Sequence, residues 1–220
     1  MFMKKIRGII YDLDGTIIST EKLHESGWIY AGKKFNINIS KEMLIDQKGI
    51  SNKAASLMML PGDKKHLLEE FRKAKMKYAL ENLKKARIFP YAIKTINNLI
   101  QRNYKIWICT AAYKEFVKKV LHVFGDLKII ENNIVWREMY KKDKPSPDAL
   151  NLTIKKMNLP KSQVIFIGDA FNDYKTGVNA KIKFIYFCPN PENIDLRVPK
   201  TIPLISSHRE IYNILKESHF

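Results

Sequence analysis

From Pro90 to Cys188, short apolar runs alternate with stretches of helical periodicity, and few architectures accommodate that rhythm. Lys105 to Ala111, Val164 to Asp169 and Phe184 to Cys188 are nearly unbroken apolar runs of strand length. A strand buried on both faces reads this way. Tyr91 to Asn103, Tyr113 to Phe124, Pro147 to Met157 and Phe171 to Ala180 read as helices, and Leu127 to Ile130 reads as a further short strand. Strands separated by helices pair in parallel through crossovers, so the expected class is α/β: a Rossmann-like parallel sheet flanked by helices on both faces. Thr201 to Ile205 is expected to add a last short strand, and His208 to Lys216 a closing helix.

The first strand of that sheet comes early, at Ile6 to Asp12, and a polar turn follows at Asp14-Gly15-Thr16. The rhythm then changes. Leu23, Gly27, Ala31 and Phe35 recur every four residues; Ser40 to Gln47 and Ser51 to Leu60 read as two short helices, and Asp63 to Lys85 as one long one. No strand signal interrupts this stretch. It is expected to form a small α-helical cap domain inserted after the first strand, over residues 19–89. Residues 1–18 and 90–220 would then form the core domain.

A chain of 220 residues, 45% hydrophobic and 28% charged, can bury one full core with a small second lobe. It has no apolar run of 18 residues, so a membrane span is not expected. Met1 to Lys5 lacks a secretory pattern, and Cys109 and Cys188 both lie in apolar runs, where buried thiols are expected rather than a disulfide. A cytoplasmic location fits these features. The net charge is +17, from 39 basic and 22 acidic residues. Such a surface attracts anions, from phosphorylated metabolites to nucleic acid. Lys pairs recur along the whole chain without concentrating and Arg is scarce, so composition accounts for the charge better than a dedicated nucleic-acid surface, although such a partner stays open.

In open α/β sheets ligands bind beyond the carboxyl ends of the strands. Three strands here end in chemically useful residues: Asp12, Thr110 and Asp169. Asp12 and Asp14, two apart after a buried strand, repel one another unless a cation intervenes, and Mg²⁺ with its oxygen ligands would serve. Gly168-Asp169 and Asp173 form a second carboxylate pair at the start of a helix, where capping is the competing explanation. Lys144 stands before Pro145, ahead of another helix. The Thr110 hydroxyl could bond a phosphoryl oxygen or simply be a strand threonine.

Together, the order Asp12-x-Asp14-Gly15-Thr16, Thr110 at a strand end, Lys144-Pro145 and Gly168-Asp169-x-x-x-Asp173 resembles the haloacid dehalogenase superfamily. The helical insert, with Leu23-His24, Trp28 and Lys48-Gly49-Ile50-Ser51, resembles the phosphoglycolate phosphatase and β-phosphoglucomutase-like branch. That resemblance implies a phosphatase of a small phosphorylated metabolite such as phosphoglycolate, a sugar phosphate or a nucleotide. Asp12 would be the nucleophile and form an aspartyl-phosphate, with Asp14 as acid and base and Thr110 and Lys144 stabilising charge. Mg²⁺ would be held by Asp12, Asp14 through its backbone carbonyl, and Asp169, with Asp173 close by. Thr110, Ala111, Lys144, His24 and Asn52 are the expected substrate contacts, although Trp28 is expected to pack in the interior. Departures exist: Ser19 replaces the usual acidic residue, and Ala111-Ala112 replaces the more frequent Asn or Gly. Asn52 occupies the place of an arginine that holds a second phosphate in the mutase members, which disfavours the alternative of a phosphomutase. A basic nucleic-acid-binding protein is the remaining alternative.

Overall fold

The computed structural model describes residues 5–217. Met1 to Lys4 and residues 218–220, the ends of the expected core domain and most of the N-terminal stretch read as lacking a secretory pattern, lie outside the described residues. Six strands form one sheet in the order β5-β4-β1-β6-β7-β8, parallel throughout. They are β1 (Gly8–Tyr11), β4 (Lys105–Cys109), β5 (Ile134–Val135), β6 (Val164–Gly168), β7 (Lys183–Phe187) and β8 (Leu204–Ile205). β1 lies between β4 and β6, so both its edges are paired, and every residue in it is buried.

Side-chain alternation along β1 divides the core. Ile9 and Tyr11 point into a cluster with α5 (Ala92–Gln101), α6 (Lys114–Val123) and α9 (Ile211–Glu217). Ile10 points the other way, into a cluster with α7 (Asp148–Met157) and α8 (Phe171–Ala180). Helices therefore cover both faces, as the parallel-sheet reading requires.

The insert contains α1 (Glu21–Lys34), α2 (Lys41–Asp46), α3 (Asn52–Met59) and α4 (Leu68–Glu81), and it has its own apolar cluster. Trp28 stacks on Phe71 there, ring centroids 5.7 Å apart, and is fully buried. Ser40 and Ser51 cap α2 and α3 by accepting from Met43 and Ala54 backbone N–H groups. The insert is joined to the core by a two-stranded antiparallel ribbon, β2 (Ile18–Ser19) with β3 (Arg87–Ile88).

Three local expectations are corrected. Leu127 to Ile130 is part of a 3₁₀ turn, Gly125–Ile130, and not a strand. Its buried residues, Leu127 and Ile130, are three apart with Ile129 half exposed, a helical spacing that a strand cannot produce. The strand at that edge is Ile134–Val135. The long helix expected from Asp63 to Lys85 is broken: 3₁₀ turns at Gly62–Leu67 and Leu83–Lys85 flank α4. The last strand is shorter than Thr201 to Ile205, pairing only at Leu204–Ile205.

Candidate active site

Because β4, β1 and β6 are neighbours in register, the residues just past their ends converge. These are Thr110, Asp12 and Asp169. The Asp12 amide donates to the Ile167 carbonyl at 2.8 Å, which ties the first turn to the neighbouring strand. Asp173, one turn into α8, uses one carboxylate oxygen to accept from the Ala170 amide at 3.1 Å. Its other oxygen accepts from Lys144 Nζ at 2.6 Å. The capping explanation for Asp173 therefore applies, and the same carboxylate also pairs with Lys144. Lys144, only 2% exposed, also donates to Asp12 Oδ1 at 2.7 Å.

Two glycines permit this convergence. Gly15 has φ +80, and a Cβ there would meet the Asp169 carboxylate at 2.1 Å. A Cβ on Gly168 would fall 2.7 Å from Asp173 Cβ. Side chains at either position would push the acidic loops apart. The Thr16 hydroxyl donates to Asp169 Oδ1 at 2.9 Å and fixes that carboxylate across the gap.

Charge is unbalanced here. Carboxylate oxygens of Asp12, Asp169 and Asp173 lie within 4.8 Å of one another, and Lys144 is the ammonium placed among them. Burial pushes Asp12 up to about 7 despite the pull of Lys144. Burial, with the neighbouring Asp173 and Asp12 charges, holds Asp169 well above the usual carboxylate range. Three hard oxygen donors short of positive charge are a set that fits Mg²⁺. The Asp14 carboxylate does not share in this cluster.

Asp14 faces the insert instead. Its Oδ1 accepts from the Thr20 hydroxyl at 2.7 Å and from His24 Nε2 at 3.2 Å. His24 Nδ1 in turn accepts from Lys75 Nζ at 2.9 Å. Lys75, on α4, is 4% exposed and lies 4.8 Å from the Trp28 ring. Burial would raise Asp14, but the bonds from His24 and Thr20 prevail and hold it below its usual range. Burial lowers His24, with help from Lys75. Burial lowers Lys75 to about 8. The two carboxylates of the first motif are thus pushed in opposite directions by their surroundings.

A pocket opens between these two halves, bordered by Asp12, Asp14 and Asp169 below and by His24, Trp28 and Asn52 above. Thr110 and Ala111 form part of its wall. The Thr110 Oγ1 accepts from the Ala112 amide at 3.0 Å, which leaves its proton free to donate. Lys144 lies behind Asp12, joined to it and not bordering the pocket. Asn52 donates to the Arg72 carbonyl at 3.3 Å. Further contacts tie the insert over the core, among them Ser51 to Asp143 at 2.8 Å, Asn172 to the Lys48 carbonyl at 2.8 Å, and Arg197 to Asp46 at 2.8 Å. The sequence reading missed Thr20 and Lys75, and it named Thr16 within the first motif without giving it a role. Lys75 had a signal: it continues the i, i+4 row of Phe71 and Ala79, so it interrupts a face built for burial. Thr20 had none, because its partner Asp14 lies beyond a turn, and the partner of Thr16, Asp169, lies across the fold.

The family model described as haloacid dehalogenase-like hydrolase matches residues 9–187. A pyrophosphatase PpaX of Oceanobacillus iheyensis is 23% identical over 180 residues, 81% of each chain. A phosphoglycolate phosphatase of Vibrio cholerae is 23% identical over 196 residues, covering 81% of this chain and 82% of its own. Among solved structures, a β-phosphoglucomutase from Clostridium difficile superposes with a TM-score of 0.79 at 21% identity, covering 97% of both chains, a likeness of fold. No helix among the described residues is long and apolar enough to cross a membrane.

Proposed function

This chain belongs to the haloacid dehalogenase-like hydrolases, and from that premise we propose that it is a phosphatase of small phosphorylated metabolites working through an aspartyl-phosphate at Asp12. The observation that carries the reading is the opposed pair at the pocket floor. Asp12 is gripped by Lys144 at 2.7 Å among two further acids, and Asp14 is held separately by Thr20 and His24. In this reading one carboxylate attacks and the other moves protons. Relatives named for phosphate ester or pyrophosphate hydrolysis support the reaction class.

An Asp12 carboxylate oxygen attacks phosphorus, a P–O bond forms, and the bond to the leaving oxygen breaks. Asp14 gives that oxygen its proton. Water then attacks the phosphoryl group as Asp14 takes its proton, releasing phosphate and restoring Asp12. In the free pocket His24 and Thr20 keep Asp14 as a base. An arriving phosphate dianion opposes that pull by like-charge repulsion, which suits the acid half of the cycle. Lys144 and the Thr110 hydroxyl stabilise charge on the phosphoryl oxygens, Lys144 through the reacting carboxylate it already holds. Asp12, Asp169, Asp173 and the Asp14 backbone carbonyl would hold Mg²⁺, which offsets the repulsion between the Asp12 carboxylate and phosphate.

We read residues 19–89 as the cap domain that covers the site and residues 1–18 and 90–220 as its core. His24, Ala111 and Asn52 then border the leaving group, His24 chiefly by positioning Asp14. Asn52 offers no cation to a second phosphate, which favours hydrolysis over phosphoryl return to an isomer. Phosphate release from a panel of phosphorylated metabolites, with Mg²⁺ and with EDTA, tests this. Mg²⁺-dependent release is the expected result. Release from no substrate, together with isomerisation activated by a bisphosphate, would replace hydrolysis by the mutase reaction.

A further inference from the structure

A fully buried histidine near the end of the chain reaches back to the first motif. His208 opens a 3₁₀ turn, His208–Glu210, between β8 and α9. Ser207 accepts from the Arg209 amide at 3.4 Å and the Ser206 hydroxyl donates to Glu210 at 2.8 Å, which fixes the turn. The match to the family model ends at residue 187, so this turn lies beyond it. The His208 ring centroid is 4.6 Å from that of Phe187 and 5.8 Å from that of Tyr11, both members of the core cluster on this face of the sheet.

Packing alone does not call for a histidine there, because a phenylalanine would fill the place without burying a polar ring. His208 Nε2 donates to the Thr16 carbonyl at 2.9 Å, so the neutral ring carries its proton on Nε2 and leaves Nδ1 as an acceptor. That Nδ1 has no hydrogen-bond partner among the described residues. An unsatisfied buried nitrogen opposes folding, and the bond to Thr16 is the polar interaction set against it. Thr16 depends on the same bond. It is fully buried, and no other donor among the described residues reaches its carbonyl. Bonds within the turn hold the Gly15, Ile17 and Ile18 amides, whereas the Thr16 carbonyl is anchored from outside it. The other end of Thr16 is the hydroxyl that donates to Asp169 Oδ1 at 2.9 Å.

We propose that His208 is a positioning residue for the metal site: through the Thr16 carbonyl it sets the hydroxyl that orients the Asp169 carboxylate, and so the C-terminal turn helps to fix the affinity for Mg²⁺. This rests on the reading of Asp12, Asp169 and Asp173 as the Mg²⁺ site of a phosphatase. Groups that orient a metal's ligands change its affinity without touching the ion. His208 acts one step further out, by holding the peptide from which the orienting hydroxyl projects.

The test is Mg²⁺ binding to the full chain by isothermal titration calorimetry, with circular dichroism to show that each variant is folded. His208→Phe and His208→Leu keep apolar packing in two different shapes and lack the donor. Each is expected to weaken Mg²⁺ binding about tenfold. His208→Gln has an amide that can donate in place of Nε2, and its affinity is expected to stay within about twofold of wild type. Thr16→Val removes the hydroxyl and is also expected to weaken binding about tenfold. Because His208 acts through Thr16, His208→Phe combined with Thr16→Val should bind no more weakly than Thr16→Val alone, whereas independent effects would multiply to about a hundredfold. Wild-type affinity in a folded His208→Phe or His208→Leu variant would overturn the proposal. So would multiplied losses in the double variant, or a His208→Gln variant as weak as His208→Phe. If the wild-type chain itself binds no Mg²⁺, the Mg²⁺-phosphatase reading fails and the proposal falls with it.

Discussion

Lys144 sits between Asp12 and Asp173 with no exposure to speak of, and a buried ammonium with two carboxylates is stable only as a unit. If its role is to hold Asp12 and share charge with the phosphoryl group, Lys144→Met should reduce kcat by about two orders of magnitude or more. Steady-state kinetics on the best substrate checks this, and activity within a factor of two of wild type would refute the role. Asp12→Asn should abolish turnover with the fold intact by circular dichroism. A buried histidine behind the first motif supplies a pH prediction. His208 is buried and donates to the Thr16 carbonyl at 2.9 Å, and burial lowers it to about 4. Its folded value lies below its unfolded one, so the native state resists a proton that the unfolded chain accepts below about 6.5. The stability His208 supports is therefore full at neutral pH and is lost as pH falls from about 6.5 towards 4. Between pH 7 and pH 5 that loss is roughly 2 kcal/mol. His208→Gln should remove this share of the pH dependence from urea-unfolding midpoints.

At the scale of elements, the seam between insert and core is close-packed. Gly49 has φ +76, and a Cβ there would lie 3.1 Å from Ala170 Cβ and 3.3 Å from Asn172 Cβ. Gly49→Ala should strain the turn and hold the seam open, raising KM and lowering kcat together while the thermal midpoint shifts little. Equal kinetics in the variant would mean that the seam does not close during turnover. The core strands were legible because β1, β4, β6 and β7 are short apolar runs that nothing but a doubly covered sheet would bury. The placement of Asp12, Thr110 and Asp169 beyond strand ends was legible for the same reason. Leu127 to Ile130 misled because four residues do not separate a strand from a 3₁₀ turn by composition. The β2–β3 ribbon was invisible because two-residue strands, far apart in sequence, leave no periodicity. Lys75 was obscured by the many solvated lysines around it.

Over the whole molecule, a parallel sheet brings the ends of β1, β4 and β6 together, and the insert closes a pocket above them. Assembling three carboxylates around one ammonium opposes folding unless a further cation binds the native state alone. Mg²⁺ should therefore raise the melting temperature, by an amount equivalent to about 2.7 kcal/mol at a hundredfold excess over its Kd, and EDTA should reverse the rise. Asp169→Asn and Asp173→Asn should each shrink the shift, and an undiminished shift in both would place the ion elsewhere. The most direct test of covalent catalysis is to quench the enzyme during turnover, reduce it with borohydride and map the peptides by mass spectrometry. Reduction of an aspartyl-phosphate at Asp12 to homoserine, dependent on substrate, is the predicted result. Phosphate release at full rate with Asp12 unmodified would contradict it.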